Sequence, residues 1–194
     1  MIIISHRGNL DGPDKERENN PYFIDDCITK GFDVEIDVWY IDGEWWLGHD
    51  EPQYPIEFEW IEKRAHTLWV HCKNVAAVEY FVENENDSKD INWFWHEEDT
   101  LTLTSFGYIW AYPGKQPIKN SIAVMPELYN DDVSNCLGIC SDFIQNYENN
   151  FYFNQSLNIP INLIAMPPGY NQTYHINNNL VAYNYRRNFQ NGFS

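Results

Sequence analysis

Ser5-His6-Arg7-Gly8, Val34-Glu35-Ile36-Asp37-Val38 and Gly48-His49-Asp50 carry the residue types that acid–base and phosphate chemistry require. Each lies within or at the end of an apolar, strand-like run. A strand alternates faces with every residue, so Glu35 and Asp37 share one face while Val34, Ile36 and Val38 take the other. Two carboxylates on one face repel each other, and a bound cation is the usual relief. Histidine is the side chain best suited to move protons near neutral pH. A cation site, an arginine and two proton carriers are the parts needed to cleave a phosphodiester.

Short apolar runs recur at Ile2–Ser5, Phe32–Tyr40, Leu68–Cys72, Asn92–Trp95, Leu101–Thr104, Tyr108–Ala111, Ile122–Met125 and Leu137–Cys140. Each is too short for a helix, and most are rich in β-branched or aromatic residues, so they read as strands. Helical spacing falls between the early runs. Pro21 to Lys30 opens on a proline suited to a first turn and stops before Gly31, and Ile56 to Ala65 and Asn74 to Glu83 follow. Strand–helix alternation implies parallel strands with crossover helices. From Leu101 to Asp142 the strand-like runs crowd together and leave little room for crossover helices.

Asp42-Gly43 lies between Val38-Trp39-Tyr40-Ile41 and Glu44-Trp45-Trp46-Leu47, a strong two-residue hairpin signal. Strict register pairs Ile41 with Glu44 and sets Asp37 opposite Gly48. His49 is then opposite Ile36, on the wrong face, unless the chain leaves the ladder near Gly48.

The chain has 194 residues, 43% of them hydrophobic and 16% aromatic, which suits one folded domain with a substantial core. A formal net charge of -17 argues against nucleic acid as a partner, because binding a polyanion relies on Lys and Arg. No run has the length of a membrane-spanning helix, so no stable membrane insertion is expected. Met1-Ile2-Ile3-Ile4 leads straight into the first motif and is too short for a secretory leader. Cys27, Cys72, Cys136 and Cys140 form no CxxC pair and suit reduced thiols, so a cytoplasmic setting is expected. All 29 acidic residues precede Asn149, and Arg186 and Arg187 are the only lysine or arginine residues after it. Residues 149–194 therefore read as an Asn/Tyr-rich extension. It packs on the body, residues 1–148, or on a partner subunit in a homo-oligomer, or else forms a partly disordered terminus.

His6-Arg7-Gly8, Glu18-Asn19, Glu35-x-Asp37, Asp42-Gly43 and His49-Asp50, in that order, resemble the glycerophosphodiester phosphodiesterase family. That family sits within a wider group of phospholipase C-like phosphodiesterases. The resemblance implies an α/β fold of the TIM-type (β/α) barrel kind, here with reduced helices in the second half, and a site at the C-terminal ends of the strands. It implies a phosphoric diester hydrolase acting on a glycerophosphodiester or related small phosphodiester. His6 and His49 become the acid/base pair, Glu35 and Asp37 ligands of Mg²⁺ or Ca²⁺, and Arg7 and Lys73 phosphate contacts. Glu18 becomes a further site carboxylate that orients Arg7 or joins the metal. His71-Cys72-Lys73 departs from the family pattern, which has an acidic residue where His71 stands. Imidazole suits transition metals, so His71 as a ligand admits Mn²⁺.

Other residues read more plainly. His96-Glu97-Glu98-Asp99 is better explained as a solvated acidic loop than as a spare ligand or proton carrier. Glu127 sits at a strand end facing the expected site. Trp39, Trp45, Trp46 and Trp110 are core residues or walls of the site. Two other functions compete: a catalytically weakened barrel that binds phosphate or phospholipid, and a glycosidase built on paired carboxylates. The His-Arg-Gly start and Lys73 argue against the glycosidase.

Overall fold

The computed structural model describes residues 1–147, 170–173 and 184–187. The chain divides into two units, Met1–Phe153 and Asn154–Ser194. In the second, Tyr170–Thr173 and Asn184–Arg187 pair antiparallel. The rest of the extension, including whatever it packs on, lies outside the described residues.

In the first unit the strands are β1 (Ile2–His6), β2 (Asp33–Ile41), β3 (Glu44–Leu47), β4 (Tyr54–Ile56), β5 (Leu68–Cys72), β6 (Asn92–Phe94), β7 (Leu101–Leu103), β8 (Ile109–Ala111), β9 (Ser121–Val124) and β10 (Gly138–Ser141). Between them lie the helices α1 (Pro21–Thr29), α2 (Phe58–Glu62), α3 (Val75–Glu83) and α4 (Glu85–Ser88), and residues 144–147, after β10, are helical as well. Parallel pairing runs in the order β6-β5-β2-β1-β10-β9-β8. β7 pairs antiparallel with β8, and β3 and β4 extend antiparallel from the second half of β2.

Local chemistry explains the early elements. Asn20 caps α1 by accepting from the Tyr22 amide, Pro21 occupies the first turn, and Gly31 at φ 92° ends the helix region. On β2, Val34, Ile36 and Val38 face the helices, where Ile24, Cys27, Ile61, Ala77 and Phe81 complete the core. The alternate residues face the interior of the sheet. Asp42 and Gly43 both have positive φ, as a type I′ hairpin turn requires, and the register is Ile41↔Glu44 and Val38↔Leu47.

The sheet is strongly curled. Phe94 on β6 and Trp110 on β8, at opposite ends of the parallel array, have ring centroids 4.6 Å apart. Trp69 on β5 packs on the same Trp110 at 5.8 Å. The architecture is a mixed α/β half-barrel made mostly of strands, which corrects the expected TIM-type (β/α) barrel. The cause lies between Leu101 and Ser141. The turn joining β7 to β8 is too short for a crossover, so those strands run antiparallel. The β8–β9 and β9–β10 connections carry only loops and one 3₁₀ turn, Pro126–Leu128. The connections from β7 to β10 therefore bring no α-helix to the sheet, and on the late half Val133, Cys136 and Tyr147, the last in the helical stretch 144–147 that follows β10, pack over Ala123 and Ile139. Among the described residues no helix is long and apolar enough to cross a membrane.

Candidate functional site

The C-terminal ends of β1, β5, β6, β8 and β10 and the middle of β2 converge on one polar cluster. His6 ends β1, and the chain then turns through Arg7 at φ 55° and Gly8 at φ 93°. A Cβ at Gly8 would lie 2.8 Å from the Phe23 ring, so glycine is required there on both counts. This turn folds the motif back, and the Arg7 amide donates to the Glu35 carbonyl.

Asp37 is fully buried, with hydrogen bonds from Asn19 and His71 and two cationic side chains beside its carboxylate. Its Oδ1 lies 3.0 Å from His71 Nδ1 and 3.6 Å from Lys73 Nζ. Its Oδ2 accepts from Asn19 Nδ2 at 2.9 Å and lies 3.1 Å from Arg7 Nε. Asn19 also accepts from the Asp37 amide at 2.9 Å, a two-point clamp on that residue. Burial works to raise the Asp37 pKa, but the His71 hydrogen bond and the Arg7 and Lys73 charges hold it well below the carboxylate range. Glu35 moves the other way, raised by burial and by the charge of Asp37. Its Oε2 is buried without a hydrogen-bond partner among the described residues, 4.0 Å from His6 Nε2.

Glu35, Asp37 and His71 each offer a ligand atom, and these atoms lie within 4.8 Å of one another. An orphaned buried carboxylate oxygen beside a second carboxylate and an imidazole fits a divalent cation. Glu18 is not one of this group. It pairs with Arg7 Nη1 at 3.2 Å and accepts from Asn9 Nδ2 at 3.0 Å, so it orients the arginine.

The two proposed proton carriers stand in different environments. His6 is buried, and its Nδ1 lies 2.8 Å from Asp142 Oδ1. Burial works to lower its pKa, but the Asp142 hydrogen bond and the charge of Glu35 outweigh it, and the net shift is upward. His49 is partly exposed, with Nδ1 2.7 Å from Asp50 Oδ1. Burial lowers its pKa, helped by the Arg7 and Lys73 charges and opposed by Asp37.

His49 reaches the cluster because the chain leaves the hairpin at Gly48. The Gly48 amide still donates to the Asp37 carbonyl, its carbonyl accepts from Trp39 Nε1, and its φ is 149°. A Cβ there would collide with the Glu51 carbonyl oxygen. Gly48→Ala should therefore displace the His49 turn and destabilise the protein by about 1–3 kcal/mol. Thermal denaturation measures this, and an unchanged midpoint would show that the turn tolerates a side chain.

Several residues of the cluster were not assigned a role from sequence. Asp142 directly follows β10, and alternation from inward-facing Cys140 is the signal that points it at His6. Asn9 bridges Glu18 and Asp142, and Asn19 belongs to the Glu18-Asn19 motif. His96, expected in a solvated loop, instead stacks on His71 with ring centroids 4.4 Å apart. Burial and the His71 charge depress the His96 pKa to about 4. Tyr112 Oη lies 3.2 Å from His96 Nδ1. Glu127 accepts from Ser141 and Tyr147, beside rather than in the cluster.

The tryptophans divide. Trp45 belongs to the aromatic layer with Tyr40, Phe58, Tyr80 and Phe81, away from the strand ends. Trp110 packs inside the curl, and Trp39 braces Gly48. No protein-family model, curated protein or solved structure matches the chain.

Proposed function

We propose that the protein is a divalent-cation-dependent phosphodiesterase acting on a glycerophosphodiester or similar small phosphodiester. One observation carries the reading: His6, held by Asp142, and His49, held by Asp50, stand beside a buried carboxylate pair that also holds Arg7 and Lys73, and their surroundings shift the two imidazoles in opposite directions. Pairs of titrating groups pushed apart in this way divide acid from base roles. His6, with Nδ1 held by Asp142, presents Nε2 as the general acid to the leaving alcohol oxygen. His49, with Nδ1 on Asp50, offers Nε2 as the base that takes the proton of the attacking hydroxyl. Arg7 and Lys73 hold the phosphate, and Glu18 fixes the plane of the Arg7 guanidinium. A cation held by Glu35, Asp37 and His71, Mg²⁺, Ca²⁺ or Mn²⁺, would supply positive charge to the non-bridging oxygens. A reducing, cytoplasmic setting belongs to the proposal and is supported by four buried, unpaired thiols.

A binding protein that grips a phosphodiester without cleaving it is the second reading, favoured by the Arg7, Lys73, His71 and Asn19 contacts that already surround both oxygens of Asp37. Hydrolysis of bis(p-nitrophenyl) phosphate and of glycerophosphocholine, with and without added cation, separates the two. Cation-dependent product release supports the enzyme. Tight phosphodiester binding with no turnover supports the alternative.

His71 tests the ligand set directly. His71→Glu adds a negative charge and a hard oxygen donor, so Mg²⁺ should bind more tightly and any preference for Mn²⁺ should narrow. Titration of both proteins with both ions measures this. Unchanged affinities would place His71 outside the ligand set.

A further inference from the structure

We propose that His96, held by Tyr112, is a positioning residue that clamps the His71 ring in the orientation a cation ligand needs. This rests on the reading of Glu35, Asp37 and His71 as a cation site. A metal-binding histidine ordinarily donates its second ring N–H to a carboxylate, carbonyl or water, and that bond sets the plane of the ring. His71 turns Nδ1 toward Asp37 and Glu35, at 3.0 and 3.8 Å. Its Nε2 is buried and has no hydrogen-bond partner among the described residues. With Nδ1 given over to a cation instead of Asp37, packing is what would remain to set the plane of the ring.

Two rings lie parallel to it. Phe94, its register neighbour on β6, is 5.0 Å away at 4°, and His96 is 4.4 Å away at 14°. Phe94 is buried within the curl, whereas His96 comes from the loop that follows β6. His96 is fixed in turn. Its Nδ1 meets the Tyr112 hydroxyl at 3.2 Å, and the Tyr112 ring stands edge-on to it, 4.8 Å away at 83°. His96 follows β6 and Tyr112 follows β8, so the clamp bridges the two ends of the parallel array. Only the curl of the sheet brings them together.

The geometry also separates a clamp from a ligand. A nitrogen lone pair lies in the plane of its ring, so two imidazoles stacked nearly parallel cannot both aim at one ion. His96 Nδ1 is further engaged by Tyr112.

The test uses Mn²⁺ alone as the probe, with affinity measured by calorimetry for wild type, His96→Phe, His96→Leu and Tyr112→Phe. Phe keeps a flat face against His71, whereas Leu fills the space without one. His96→Leu should weaken Mn²⁺ binding by about 10-fold or more, the usual scale for an outer-sphere partner. His96→Phe should bind nearly as tightly as wild type, and Tyr112→Phe should fall between them. Pulsed electron paramagnetic resonance of bound Mn²⁺ should show one imidazole nitrogen in wild type and in His96→Phe. Wild-type affinity in both His96→Leu and Tyr112→Phe would overturn the clamp. Two coordinated imidazoles in wild type would overturn it differently, by making His96 a ligand. A wild-type protein that binds no Mn²⁺ would instead remove the cation site itself, and the clamp with it.

Discussion

His6→Asn and His49→Ala should each lower phosphodiester turnover by about 10²- to 10⁴-fold under saturating cation, the scale of a lost general acid or base. Asn is the sharper replacement at position 6. Its amide can still donate to Asp142, as His6 Nδ1 does at 2.8 Å, yet it cannot release a proton to a leaving group. His6 is buried, and truncation to Ala would strip Asp142 of that contact, so loss of rate and loss of fold would be mixed. The pH profile supplies a second readout. The His49 pKa is lowered from 6.5, so a base in that role loses activity as pH falls through a value under 6.5. The His6 pKa is raised from 6.5, so an acid in that role loses activity as pH rises through a value above it. The plateau between the limbs should contain pH 6.5. Asp142→Asn removes a contact that raises the His6 pKa, and the descending limb should move to lower pH. Near-normal rates in both histidine variants would end the acid–base assignment.

Asp37→Asn should have the largest effect on stability, in two separable parts. Without cation, the substitution leaves Arg7, Lys73 and the His71 donor facing an amide, where a fully buried carboxylate previously answered all of them. Breaking a buried charge cluster from one side costs about 3–5 kcal/mol. With cation, wild type should gain further, because an ion that binds only the folded state stabilises by about 2.7 kcal/mol at 100 times its dissociation constant. Asp37→Asn should lose that gain. Thermal melts of both proteins with EDTA and with Mg²⁺, Ca²⁺ or Mn²⁺ measure the two parts. A wild-type melt indifferent to every ion, with activity indifferent to EDTA, would refute the cation site. A low apo midpoint in the variant would remain as evidence for the charge cluster alone.

Features that depend on near neighbours were legible along the chain. Alternation along β2 put Glu35 and Asp37 on the face opposite Val34, Ile36 and Val38, and the core confirms that division. Asp42-Gly43 set the hairpin, and the ladder of Val38↔Leu47 through Ile41↔Glu44 has the register those two residues require. Turn chemistry at Gly48 made a departure from that ladder available to His49. These features are legible because dihedral preference and period-2 alternation act within a few residues.

Tertiary structure decided what depends on distant strands. β7 runs antiparallel and the late connections lack helices, so the expected (β/α) barrel gives way to a curled half-barrel. Apolar content marks a strand without stating its direction or its neighbour, and so the runs after Leu101 could be found but not ordered. The same limit hid Asp142 behind His6 and hid His96 and Tyr112 beside His71. Those contacts join β1 to β10, β5 to β6 and β6 to β8. Sheet order and curl set them, and both emerge only when the whole chain has found which edges pair.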